Sequence, residues 1–122
     1  MLNYKARAYH KPGTQNRTEQ AYANHLALLK AAGEIVDFSF EPETLRIGQD
    51  CRYTPDFRVL VPEASGEPSI QFHEVKGTIS KTNKPFIEDD ALVKIKAAAE
   101  THPYKFVIVW YNKGTWERRE IN

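Results

Sequence analysis

The stretch that decides the fold runs from residue 51 to residue 77, CRYTPDFRVLVPEASGEPSIQFHEVKG. It holds two runs rich in β-branched and aromatic residues, Asp56 to Val61 and Ile70 to Lys76. That composition suits a pleated, half-buried surface. Pro62 to Pro68, with Ser65-Gly66 inside it, reads as the loop between them. Just upstream, Gly48-Gln49-Asp50 reads as a hairpin turn from Thr44–Ile47 into Cys51–Tyr53. The expectation is a meander of antiparallel strands over residues 51 to 76.

A Pro-Asp opens the first run and a Glu-x-Lys closes the second, with Glu74 eighteen positions after Asp56. Side chains alternate along a strand, so Ile70, Phe72, Glu74 and Lys76 share one face while Gln71, His73 and Val75 share the other. Two apolar residues followed by two charges describe a core face that opens into a cleft. Gly77 ends the strand where the backbone must turn or come close to a ligand. Mg²⁺ prefers oxygen ligands and usually takes one or two protein carboxylates, leaving its other positions to water and phosphate. A lysine two residues beyond the second carboxylate can hold an attacking water or the charge that develops on the phosphate. The pattern points to phosphodiester hydrolysis.

Working outward, residues from Thr14 or Asn16 to Ala32 carry Tyr22, Leu26 and Leu29 at helical spacing, with Gly33 as the stop. Glu19 lies three residues before Tyr22 and so falls along the apolar stripe. A carboxylate there needs a partner. It can close a capping box with Asn16, serve a site, or do both. A weakly alternating run covers Ile35 to Phe40. Beyond the central stretch, Thr78 to Pro85 is a polar, lysine-bearing loop, and a helix follows from Ile87 or Asp89 to Thr101, with Leu92, Ile95 and Ala99 on one stripe. Glu88, Asp89 and Asp90 suit the dipole at its N-terminal end better than a metal site. Tyr104 to Tyr111 is the most continuous apolar run and reads as a strand covered on both faces. Asn112-Lys113-Gly114 then turns into a last strand, Thr115 to Ile121. The fold class is α/β (α+β), a mixed central sheet flanked by helices in one domain, residues 1–122, with residues 1–16 as a flexible basic arm.

Composition limits the function classes. With 41% apolar and 27% charged residues the chain reads as soluble and globular, and its single Cys51 excludes an internal disulfide. Met1 to His10 lacks a signal-peptide core and no run approaches the length of a membrane span, so a cytoplasmic location and no membrane partner are expected. His10, His25 and His102 have no zinc spacing with one another or with Cys51, and His73 falls on the strand face away from Glu74. Net charge is only +1, but its distribution is uneven. Lys5, Arg7, Lys11 and Arg17 occupy residues 1 to 18 with no acid, and Lys76, Lys81 and Lys84 do the same after the motif. Each stretch is either a solvated loop or a set of phosphate contacts.

Pro55-Asp56, then Glu74-Val75-Lys76-Gly77, preceded by a helical Glu19, resembles the PD-(D/E)xK nuclease superfamily. The likeness covers Arg17 to Tyr111 and implies a restriction-endonuclease-like αβββαβ core. The chain is similar to small phage-encoded endonucleases of that superfamily, including the DUF1064 group and the Holliday-junction resolvases of the T7 endonuclease I type. The resemblance implies a metal-dependent endonuclease acting on DNA, structure-selective for branched substrates, in the host cytoplasm if phage-encoded. It implies Asp56 and Glu74 as carboxylate ligands of one or two Mg²⁺ ions, with Mn²⁺ as a substitute. Glu19 would bind a second ion or orient water, the Val75 carbonyl would be a further ligand, and Lys76 would steer the nucleophile. A lysine of the following helix, Lys94 or Lys96, would approach the DNA, and Lys96 is favoured by its four-residue offset from Leu92. A homodimer would suit symmetric cutting. The rival readings are a DNA-binding or accessory subunit that keeps the fold without the chemistry, and a nuclease subunit of a transposase or restriction system.

Overall fold

A computed structural model of the chain describes residues 14–79, 82, 84, 85, 87 and 89–121. Lys5, Arg7, Lys11 and Lys81 lie outside the described residues, as does most of the expected basic arm.

The first helix, α1, spans Arg17–Ala31. Asn16 is its N-cap and completes a capping box: its Oδ1 accepts from the Glu19 backbone N–H at 2.8 Å, and Glu19 Oε1 accepts from the Asn16 N–H at 2.9 Å. Two helix-end donors are thereby satisfied by side chains. Gly33, at φ +78, turns the chain out of the helix. Tyr22, Ala23 and Leu26 form the buried stripe, and shortening the fully buried Leu26 to alanine would cost about 2–5 kcal/mol.

Strands β1 (Asp37–Phe40), β4 (Phe57–Val61), β5 (Ser69–Lys76), β8 (Lys105–Asn112) and β9 (Thr115–Ile121) form the main sheet, ordered β1-β4-β5-β8-β9. Helix α2 (Asp89–Thr101) connects β5 to β8, which are parallel; the other neighbours are antiparallel. Reading α1, β1, β4, β5, α2, β8 in order gives the expected α-β-β-β-α-β core within a mixed sheet. Phe106 to Val109 of β8 are all buried, as its apolar run predicts.

The meander expected over residues 51–76 holds only from β4 onward. Strand β3 (Cys51–Tyr53) leaves the main sheet and pairs with β2 (Leu45–Gly48) as a separate hairpin. The reason is local: Thr54-Pro55-Asp56 interrupts the ladder, because proline has no N–H to give it. The hairpin's Leu45 and Tyr53 then join Phe72, Phe106, Ile108, Ile95 and Ala98 on the α2 face. The opposite face buries Tyr22, Leu26, Phe57, Val59, Val75 and Val107 against α1. The sheet is thus sandwiched between α1 on one side and α2 with the hairpin on the other. A further short pair, β6 (Thr78–Ile79) with β7 (Lys84–Pro85), occupies part of the expected polar loop. No helix among the described residues is long and apolar enough to cross a membrane.

Candidate active site

The register of β4 against β5 places the two motif carboxylates. Phe57 pairs with His73 and Arg58 with Phe72. One step beyond the end of β4, the same register sets Asp56 opposite Glu74, where cross-strand side chains are nearest neighbours. Since Phe57 and His73 face α1, Asp56 and Glu74 fall on the face of α2 and the hairpin. Asp56 also replaces the missing ladder, its Oδ2 accepting the Val75 N–H at 2.8 Å. The N–H and C=O of a strand residue lie on the same edge, so the Val75 carbonyl opens toward the gap that Asp56 occupies.

Glu74 is held at both oxygens. The Tyr53 hydroxyl donates to Oε1 at 2.6 Å, and Lys76 Nζ lies 3.2 Å from Oε2. Glu74 is 13% and Lys76 20% exposed, and Asp56 is 9% exposed, so the group opens to solvent through a narrow side. Burial pushes the Asp56 carboxyl well above the usual carboxylate range, and repulsion from Glu74 adds to it; the Val75 N–H, and Lys76 more weakly, pull the other way, while Glu19 adds further repulsion. Glu74 is raised as well, by burial, against the opposing pull of Lys76, Tyr53 and the Asp56 backbone amide. Tyr53, buried beside two carboxylates, is held firmly in its protonated, donating form.

Asp56, Glu74 and Lys76 are therefore brought together, and Glu19 reaches this group through its repulsion of Asp56. Glu19 is buried and also caps α1, so the cap is in place and the two roles proposed for it share one side chain. Among the described residues, no three His, Cys, Asp or Glu side chains converge closely enough to cage an ion by themselves. Two hard oxygen donors with an open side nevertheless fit the one or two carboxylates that Mg²⁺ usually takes.

The flank of the site differs from expectation in one residue. A groove of about 410 Å³ beside Glu74 is lined by Arg52, Thr54, Asp90 and Lys94. Lys94, not Lys96, reaches it. Ile95 turns into the core, and Lys96, on the next position round the helix, is exposed outside the groove. Arg17 and Lys84 are exposed at the start of α1 and in β7, away from the groove lining. The contact of Tyr53 with Glu74 was not foreseen from the sequence. Its signal was its place three residues before Asp56, which only the hairpin's excursion to the α2 face turns into a contact with Glu74.

His73 is 4% exposed and packs into the interior. Gln71 Oε1 can only accept, so His73 Nε2 carries the proton and donates to it at 3.0 Å, while the Tyr22 hydroxyl donates to Nδ1 at 2.5 Å. Arg118 Nη2 donates to the same Gln71 oxygen at 3.1 Å. Burial, helped by the Arg118 charge, lowers His73 to about 3, which fits the neutral tautomer. A smaller cavity of about 240 Å³ adjoins this network on the α1 side, and none of the three carboxylates lines it. No protein-family model, curated protein or solved structure matches the chain.

Proposed function

We propose that the chain is a Mg²⁺-dependent endonuclease that hydrolyses phosphodiester bonds in DNA, with branched or junction DNA as the substrate class. The observation that carries this reading is the like-charged pair of buried Asp56 and half-buried Glu74 facing each other at the end of the β4–β5 ladder, with Lys76 on the same face. Two carboxylates set against each other with little water repel, which is a cost to the fold that a divalent cation removes.

Asp56 and Glu74 would hold the ion, with the Val75 carbonyl on the same edge. Bound there, Mg²⁺ would supply Lewis acidity at the scissile phosphate and favour a nucleophilic water. Tyr53 orients Glu74 through its 2.6 Å hydrogen bond, and the Val75 N–H fixes Asp56. Lys76 balances negative charge as it grows on the phosphoryl oxygens. Glu19 either orients the water or helps hold a second ion, at a point set by its cap.

The rival reading, a DNA-binding subunit that keeps the fold without cutting, draws on one observation: Tyr53 and Lys76 already give Glu74 two partners without an ion. One experiment separates the two. Purified protein incubated with linear and branched DNA of the same sequence should cut with Mg²⁺ or Mn²⁺ and stop with EDTA. Full activity in Asp56→Asn would sink the nuclease reading, and binding without cleavage under every metal condition would favour the rival. Lys76→Ala should lower kcat with DNA affinity near its original value; an equal fall in affinity would make Lys76 a phosphate anchor instead.

A further inference from the structure

The β2–β3 hairpin carries a second like-charged rung. Arg46 and Arg52 are directly opposite each other in its register, and both are exposed. Like charges at this position destabilise an antiparallel pair. Among the described residues, neither guanidinium has a carboxylate within ion-pair distance, and Arg46 makes only a 3.4 Å contact from Nε to the Gly48 carbonyl. The rung is nonetheless held firmly. At its base Thr44 and Thr54 share a hydroxyl hydrogen bond of 2.7 Å, and His102 Nε2 donates to the Arg46 carbonyl at 2.7 Å. Leu45 and Tyr53, the next pair along, are buried against the α2 face.

The rung is also continuous with the proposed site. Arg52 lines the same groove as Glu74, with Thr54 and Lys94 between strand and helix. Asp90 is the other acid on that groove, exposed in the first turn of α2. Arg52 and Lys94 thus border an opening that Glu74 also lines, and Arg46 stands opposite Arg52 on the hairpin. Arginine favours phosphate because its planar fork of donors can bind two oxygens at once.

Resting on the nuclease reading above, we propose that Arg46, Arg52 and Lys94 form a phosphate track that holds the backbone of the nucleic-acid strand beside the scissile bond. The track grips phosphates and reads no bases, so it positions the strand without sequence preference. The repulsion between the two arginines is relieved when an anion lies between them.

The test uses the full chain in EDTA, where no cutting is expected, with a labelled DNA oligonucleotide titrated at several salt concentrations. Arg46→Gln and Arg52→Gln should each flatten the salt dependence of log Kd by about one, and the double variant should bind roughly tenfold more weakly at moderate salt. Arg52→Lys should keep the wild-type slope. Because each glutamine removes a like-charged neighbour, Tm should hold or rise while binding falls, which separates lost contact from lost fold. Unchanged affinity and slope in the double variant would overturn the track. So would a fall in binding that follows a fall in Tm. If the double variant cuts with wild-type KM under Mg²⁺, the track fails and the nuclease reading stands. If wild type never cuts but the arginine variants lose DNA in EDTA as described, the nuclease reading fails and the track stands.

Discussion

On the α1 face of β5, His73 is fully provided for. It is neutral, donates to Gln71, accepts from Tyr22, and meets Arg118 only through the Gln71 oxygen. One residue on, across the thickness of the sheet, Glu74 faces Asp56 with Lys76 as the cation paired to it among the described residues. Both clusters are buried and polar, but the first closes on itself and the second retains excess negative charge. Burial of polar groups therefore does not mark the site. Unbalanced charge is what sets the proposed site apart. The largest test of this contrast is Asp56→Asn, which should lower Mg²⁺-dependent cleavage at least about 100-fold, since even groups that merely support a metal ligand are worth 10 to 100-fold. Without divalent cations the same variant should unfold at the wild-type temperature or above it, because the substitution removes a repelling carboxylate. A variant that loses both activity and several degrees of Tm in EDTA would make Asp56 a structural acceptor for Val75.

The two clusters also pull stability in opposite directions with pH. His73 is lowered from 6.5 to about 3, so between those values the unfolded chain binds a proton that the folded chain refuses. Stability from this group is complete above pH 6.5 and is lost as pH falls toward 3, on the order of 5 kcal/mol at most. Asp56 and Glu74 are raised above 3.8 and 4.5, so the folded state holds protons longer, and their contribution declines as pH rises from that range. Mg²⁺ should restore the alkaline limb and leave the acid limb unchanged, measured as thermal midpoints from pH 4 to 8. Tyr22→Phe should act on the acid-side cluster alone. It leaves His73 Nδ1 without its donor, at a cost of about 1–3 kcal/mol, and a loss below 0.5 kcal/mol would show that the hydrogen bond is not what stabilises α1 on the sheet.

Much of this arrangement was legible in the chain because it follows from period and chemistry. The alternation of residues 70–76 separates His73 from Glu74, the Tyr22-Leu26-Leu29 spacing gives α1, and Asn16 with Glu19 predicts the cap that the helix uses. The hairpin's turn was legible at Gly48-Gln49-Asp50, but its separation from the main sheet was not. Cys51–Tyr53 alternates as any edge strand does, and its departure from the sheet depends on Pro55 together with the pocket that Phe72 and Ile95 make for Leu45 and Tyr53. That one excursion brings Tyr53 to Glu74 and Arg52 to the groove, so these two unforeseen placements share a single tertiary cause. The choice between Lys94 and Lys96 turned on a smaller point. A four-residue offset from Leu92 favours Lys96, whereas the groove lies along the side of α2 that carries Asp90, Ala91 and Lys94.

The finest division lies within one side chain, Glu19, which belongs to the cap by its hydrogen bonds and to the charged cluster by its field on Asp56. The two roles separate because glutamine can replace glutamate in a capping box but brings no charge. Asn16→Ala should cost about 1 kcal/mol of stability and leave cleavage per folded molecule close to wild type. Glu19→Gln should keep the thermal midpoint within about a degree or raise it in EDTA, since it removes one of the charges repelling Asp56. If Glu19 serves the reaction, that variant should nevertheless cut more slowly and need more Mg²⁺ to reach half its rate. Normal cleavage and normal Mg²⁺ dependence in Glu19→Gln would confine the residue to the cap and reduce the site to Asp56, Glu74 and Lys76.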